Sequence, residues 1–165
     1  MTVSALYQFF PEPDLPDPPA HLSGLAYLQA LMTRDLQPPT ALGLLGIRIT
    51  DAAEGRVSLR LSYDASSRYA MGSVHGGPLI TLLSVTAGYA ALSAFPAGMT
   101  FTVEHFRADV KRSIGLDAVT LIATGKARRH DRHRLTAEVA VCDGSGHLFA
   151  TARSRCFTQD VPAPA

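Results

Sequence analysis

Apolar and polar residues alternate over RVSLRLSY, so that Val57, Leu59, Leu61 and Tyr63 share one face and Arg56, Ser58, Arg60 and Ser62 the other. A period of two predicts a strand with one buried and one wet face, within strand-like sequence that begins at Ile47. Three further strand-like segments lie near Phe101 to Lys111, Val119 to Arg129 and Arg134 to Cys142. The DGSG turn at Asp143 to Gly146 then leads into a last strand ending near Phe157. Between the first strands and the later ones runs an uncharged stretch from Tyr69 to Val103, long enough to raise a membrane span. Gly76, Gly77, Pro78, Gly88, Pro96 and Gly98 interrupt it, with Ser and Thr between them, which favours a buried helix. Pro78 suits a first helical turn, and FPAG ends the helix after about four turns, near Ala94.

Upstream, Ser23 is placed to cap a short helix carrying Leu25, Leu28, Leu31 and Met32, stopped by Pro38 and Pro39 before a second short turn at Ala41 to Leu45. Together the pattern predicts an α+β fold: an antiparallel sheet wrapped around one long central hydrophobic helix, with short N-terminal helices. Residues 1–21 form a proline-rich arm, with five of the eleven prolines before His21. Residues 22–158 form the domain and 159–165 a tail.

Length adds that this is one domain, since 165 residues bury one core and leave no room for a second of ordinary size. A formal charge of +1 carries no signature of a nucleic-acid binder. Cys142 and Cys156 are too few for a disulfide framework, lack metal-ligand spacing and suit core packing. With no basic and apolar leader, the expectation is a cytoplasmic protein without metal or cofactor.

The candidate chemistry sits where His75, Gly76 and Gly77 enter the uncharged helix. A helix N-terminus exposes unpaired N–H groups at the positive end of its dipole, and glycine lets a substrate approach them. That suits the carbonyl oxygen of a thioester, whose negative charge grows on attack. His75 either orders the turn or takes part in proton transfer.

The stretch MGSVHGGPLITLLSVTAGYAALSAFPAG followed by FTVEHFRADVKRSI resembles the hotdog-fold acyl-CoA thioesterases, in particular their phenylacetate-degradation-type branch, from about Leu22 to Phe157. The resemblance implies a sheet curled around one long helix, assembly as dimers and often tetramers, and active sites between subunits. It implies thioester hydrolysis, with coenzyme A entering as part of the substrate. The family pattern of Asn, five residues, His-Gly-Gly, six residues and Asp or Glu maps onto Tyr69, His75, Gly76, Gly77 and Ser84. Thr102 falls where the family carries Ser or Thr, and Val74 leads into the substrate-binding turn. Arg128, Arg129 and Arg132, within KARRHDRHR, fall where the phosphates of coenzyme A are expected; a solvated hairpin face is the other reading. Gly76 and Ser84 are separated by about 12 Å of helix, so a carbonyl at one turn needs the other residue from a second subunit.

Two departures follow. Ser84 stands at the carboxylate position, and a serine hydroxyl needs an adjacent base to act as nucleophile. Tyr69 stands at the Asn position, as an aromatic wall or a group that orients substrate or water. In FTVEHFRADVK, His105, Arg107 and Asp109 fall where apolar residues are usual in the family. A bulge would shift the phase and let Glu104 point either at the site or away from it. The alternatives to hydrolysis are a non-hydrolytic acyl-CoA or hydrophobic-ligand binding protein that has lost the carboxylate, and a purely structural oligomer.

Overall fold

The computed structural model describes residues 21–63, 75–115 and 120–160. Tyr69 and Val74 lie outside the described residues. Two short helices, α1 (Gly24–Thr33) and α2 (Thr40–Leu44), precede the hairpin of β1 (Ile47–Ala53) and β2 (Arg56–Ser62). The long helix α3 (Gly76–Ser93) follows, then β3 (Met99–Val110), β4 (Thr120–Arg129), β5 (Arg134–Cys142) and β6 (Leu148–Asp160). All six strands form one antiparallel sheet in the order β1-β2-β4-β5-β6-β3. The architecture is the expected one, with α3 packed along the sheet, α1 against β1 and α3, and α2 against β1.

The alternation in β2 comes out as read: Val57, Leu59 and Leu61 are fully buried, while Arg56 and Arg60 are exposed. Across the sheet they meet Leu121, Ala123, Val139 and Val141, and the buried face of α3 (Leu79, Leu82, Leu83, Ala87 and Ala90) closes the core. Helix α3 is long and apolar enough to cross a membrane by composition, yet that face lies against the sheet. Its buried hydroxyls bond to their own helix, Thr86 Oγ1 to the Leu82 carbonyl at 2.6 Å and Ser93 Oγ to the Ala90 carbonyl at 2.9 Å. This removes the cost of burying them unpaired.

Two glycines set how closely the layers approach. A Cβ on Gly125 of β4 would lie 2.9 Å from the Thr86 carbonyl oxygen and 3.0 Å from Ala90 Cβ, so α3 rests directly on that backbone. A Cβ on Gly24 would lie 1.8 Å from the Leu92 carbonyl oxygen, where the Gly24 N–H also bonds the Phe95 carbonyl at 3.0 Å. Ser23 caps α1 as expected, its hydroxyl accepting from the Ala26 N–H at 3.2 Å.

Differences from the sequence reading lie in the last strands. β3 starts at Met99 and β6 runs to Asp160, because Met99, Thr100 and Phe101 pair with Asp160, Gln159 and Thr158. The anticipated bulge is present: pairing shifts between Val103, opposite Cys156, and His105, opposite Arg155, which leaves Glu104 as the extra residue. Phe101 before it and Phe106 and Ala108 after it therefore all pack on the core, and His105 and Arg107 are exposed.

Candidate active site

His75 is the N-cap of α3: its Nδ1 accepts the Gly77 N–H at 3.0 Å. Accepting at Nδ1 puts the proton of the neutral ring on Nε2. The bond also accounts for Gly77, where a Cβ would lie 2.9 Å from Nδ1 and 3.1 Å from Cε1 of the same imidazole. Pro78 has no N–H, so among the described residues the orphan donor of this first turn is the N–H of Gly76. Among the described residues, an added Cβ on Gly76 would meet nothing within 4 Å. Packing among the described residues explains Gly77 and leaves Gly76 unexplained.

From this turn an exposed stripe runs along α3 through Ile80, 41 % exposed, to Ser84. One turn further on, a Cβ at Gly88 would lie 3.6 Å from Phe101 Cζ, so β3 begins to cover the helix there. Ser84 is exposed just ahead of that cover, about 12 Å along the axis from Gly76. Within one chain the two do not meet.

Thr102 is exposed and opposite Phe157, between residues whose partners Thr158 and Cys156 are buried. Strand alternation thus puts it on the outer face of the sheet, away from α3, and one chain does not bring it to Ser84. Glu104 is differently placed. As the extra residue of the bulge it stands with Val103 opposite Cys156, whose side chain is buried. Burial pushes the Cys156 thiol up, a hydrogen bond with Ser154 pulls it down, and the Glu104 carboxylate adds to the rise. The bulge therefore carries an exposed carboxylate close to the inner side of the sheet edge.

The basic segment divides. Arg129 faces the helix: it donates to the Ala94 carbonyl at 3.1 Å and its guanidinium lies 5.4 Å from the centre of the Phe95 ring. A cation on the last carbonyls of α3 is favoured by the helix dipole. Arg128 pairs with Thr136 on the opposite face of the sheet, and Arg132 lies in the turn, where its carbonyl accepts from Thr158 Oγ1 at 2.6 Å. Asp131 organises that turn, accepting the N–H groups of His133 and Arg134, each at 2.8 Å. These bonds, His133 first, hold its carboxyl below the usual value against a smaller opposing effect of burial. Within a single chain the arginines stand at the far end of α3 from His75, about 27 Å along the axis.

Sequence reasoning treated Tyr63 as core only. Gly125 lies under Thr86 and Ala90, and Arg129 reaches Ala94, so the first turns of α3 lie over the end of the sheet where β2 finishes. There the Tyr63 hydroxyl is buried with no hydrogen-bond partner among the described residues, and burial pushes its pKa up to about 12. An unpaired buried phenol beneath a candidate site is a donor available to a ligand. Alternation alone cannot distinguish it from the aliphatic residues on its face.

With this geometry in view, the comparisons with solved structures decide the architecture. The HI1161 thioesterase of Haemophilus influenzae superposes with a TM-score of 0.70 at 17 % identity, covering 82 % of this chain and 92 % of its own. The PaaI protein of the phenylacetic acid degradation operon of E. coli gives 0.69 at 19 % identity, covering 84 % and 99 %. A hypothetical thioesterase from Streptococcus pneumoniae, crystallised with coenzyme A, gives 0.61 at 20 % identity, covering 71 % and 88 %. The fold is the hotdog fold. No protein-family model and no curated protein matches the chain. The hotdog likeness is therefore one of architecture, and the site must be argued from its own residues.

Proposed function

We propose that this hotdog protein hydrolyses acyl-CoA or related thioesters to the free acid and thiol, at a site completed by a second copy of the chain. The observation that carries the reading is the Gly76 N–H: among the described residues an orphan donor at the N-terminus of an apolar helix, on a glycine that their packing does not require. The carbonyl oxygen of the thioester would lie against this N–H, which strengthens its hold as charge develops. The His75 ring holds the turn by capping Gly77, and the stripe through Ile80 faces the acyl group.

Ser84 would reach the carbonyl bound at the partner's turn, where its hydroxyl orients the substrate or the attacking water. It is a poor base itself. We assign Glu104 as the general base, because the bulge brings its carboxylate to the inner side of the β3 edge and Val103 beside it is 46 % exposed. β3 is the last strand of the sheet, so its outer edge is open to pairing with the same edge of a second copy. Water attacks the thioester carbon as Glu104 takes its proton. Collapse of the tetrahedral intermediate breaks the C–S bond, and the coenzyme A thiolate leaves and is protonated. Arg128 and Arg132 are the cations offered to its phosphates, while Arg129 serves the end of α3. That a similarly folded protein was crystallised with coenzyme A supports this ligand class.

Release of free thiol from a panel of acyl-CoAs tests the proposal, and absence of turnover above background by the purified assembly would refute it. Ser84 at the carboxylate position favours a second reading, in which the protein binds acyl-CoA without turning it over. That reading predicts saturable binding, no thiol release, and hydrolysis gained in Ser84→Asp.

A further inference from the structure

On the face of the sheet turned away from α3, side chains form rows that run across the strands. One row follows the register from Arg56 of β2 through Lys126 of β4, Glu138 of β5 and Arg153 of β6 to Arg107 of β3. The next row holds Arg128, Thr136, Arg155 and His105. Together they carry five arginines and a lysine against one carboxylate, and all six cations are exposed. A formal charge of +1 conceals this band, because only one of the fourteen Asp and Glu residues stands in these two rows.

Folding does not account for the band. Arg56 stands directly opposite Lys126, and Arg107 opposite Arg153, where like charges destabilise a sheet. Arg153 Nε lies 3.7 Å from Glu138 and Arg107 Nη2 lies 3.2 Å from Asp109, exposed pairs of small net worth. Arg56, Lys126, Arg128 and Arg155 have no ion pair among the described residues. A second copy meeting this face with its own would set like charges together, so the band calls for a polyanion of another kind.

The rows on either side of the cations say which. On one side Phe157 is 39 % exposed, and its ring stacks on that of His133 with centroids 5.6 Å apart. An exposed ring beside guanidiniums gives a base a stacking surface, which favours a polynucleotide over an acidic peptide. On the other side lie the short side chains of Ser58, Thr124, Ala140 and Thr151, with the Ser58 and Thr124 hydroxyls 3.4 Å apart. Hydroxyls both donate and accept, and so match the ribose 2′-hydroxyl.

We propose that this outer face docks single-stranded RNA, with phosphates over Arg56, Lys126, Arg153 and Arg155, a base against Phe157 and ribose hydroxyls towards Ser58 and Thr124. Guanidiniums bind phosphate oxygens in pairs, which suits a band made mostly of arginine. The strand crosses from β2 to β3, about 19 Å at the spacing of paired strands. Docking is measured without turnover and does not rest on the hydrolytic reading. Arg128, also offered to coenzyme A, is left intact in the test.

Fluorescence anisotropy of the full chain with a labelled, mixed-sequence, single-stranded RNA of about twelve nucleotides tests it. Saturable binding is expected, at least threefold tighter than for DNA of the same sequence. Arg56→Gln combined with Arg153→Gln should weaken binding at least tenfold and lessen the slope of log affinity against log salt by about 1.4, at about 0.7 for each phosphate contact. Phe157→Leu should weaken it at least threefold, while Arg34→Gln, at the end of α1, leaves it unchanged. Polyglutamate or coenzyme A at the RNA's own charge concentration should leave the RNA bound. Absence of saturable binding, equal affinity for the DNA, unchanged affinity in the double variant or in Phe157→Leu, a tenfold loss in Arg34→Gln, or displacement by polyglutamate or coenzyme A would each overturn the proposal. The substituted side chains are exposed, so melting temperatures should hold. If the double variant melts early, Arg155→Gln carries the test, and an unchanged affinity there is equally fatal.

Discussion

Alanine at Gly76 and at Gly77 should act in opposite ways, although the two glycines are adjacent. At Gly77 the new Cβ would sit 2.9 Å from His75 Nδ1, so the imidazole must swing away and release the Gly77 N–H. Losing an N-cap costs about 0.5–2 kcal/mol, against a gain of up to about 1 kcal/mol from replacing glycine in a helix. Gly77→Ala should therefore range from near neutral to about 2 kcal/mol less stable. At Gly76 the Cβ meets none of the described residues, so none of them opposes the helix-propensity gain and stability should hold or rise by up to about 1 kcal/mol. The methyl group would nevertheless stand where a carbonyl must approach the Gly76 N–H. Loss of one oxyanion donor costs about a hundredfold to a thousandfold in rate, or about 2.7–4 kcal/mol of transition-state stabilisation. The assay pairs urea unfolding with kcat/KM for thiol release from the acyl-CoA that turns over fastest. A folded Gly76→Ala variant with wild-type kcat/KM would show that no carbonyl uses this N–H, and the oxyanion argument would fail.

Glu104→Gln should lower kcat by about a hundredfold or more if the carboxylate is the base, and it should also lower the Cys156 thiol pKa, which Glu104 raises. An unchanged kcat would remove Glu104 from the mechanism. Gly24→Ala should be the more damaging of two packing substitutions, because a Cβ 1.8 Å from the Leu92 carbonyl oxygen separates α1 from α3; the expected loss in urea unfolding is about 3 kcal/mol, against about 1–3 kcal/mol for Gly125→Ala. Tyr63 and Tyr89, both pushed up to about 12 by burial, should ionise well after a tyrosine at the ordinary 10.0. Their folded values lie above the unfolded one, so the stability they contribute is complete below pH 10 and is lost as the pH rises towards 12. Phenolate absorbance followed alongside unfolding checks this, and ionisation of every tyrosine near pH 10 in the folded protein would contradict it.

The elements were legible because each rests on short-range periodicity. Alternation in RVSLRLSY, the Ser23 cap, the His75 turn and the glycine-rich hairpin at Asp143 to Gly146 all come from residues close together in the chain. Even the bulge was anticipated, since His105, Arg107 and Asp109 fall where the resembling family has apolar residues, and it is what lets Phe101 and Phe106 both pack on the core. The ends of β3 and β6 were less legible, because their last rungs exist through mutual pairing of segments far apart in sequence.

The functional residues divide along the same line. Sequence by itself determined that a His-Gly-Gly turn opens an apolar, uncharged helix, since this is a property of neighbouring positions. Only the tertiary structure separated Gly77, which the His75 ring requires, from Gly76, which packing among the described residues does not. It alone sent Arg129 to the end of α3 and Arg128 to the opposite face, and put Thr102 on the outer side of the sheet while the bulge carried Glu104 towards the inner side. It also gathered Arg56, Lys126, Arg153 and Arg107 into one row across the sheet. The physical reason is that a residue's type and phase are local, whereas its partner is chosen by long-range packing, which decides whether an N–H, a guanidinium or a phenol is already satisfied or left to meet a ligand.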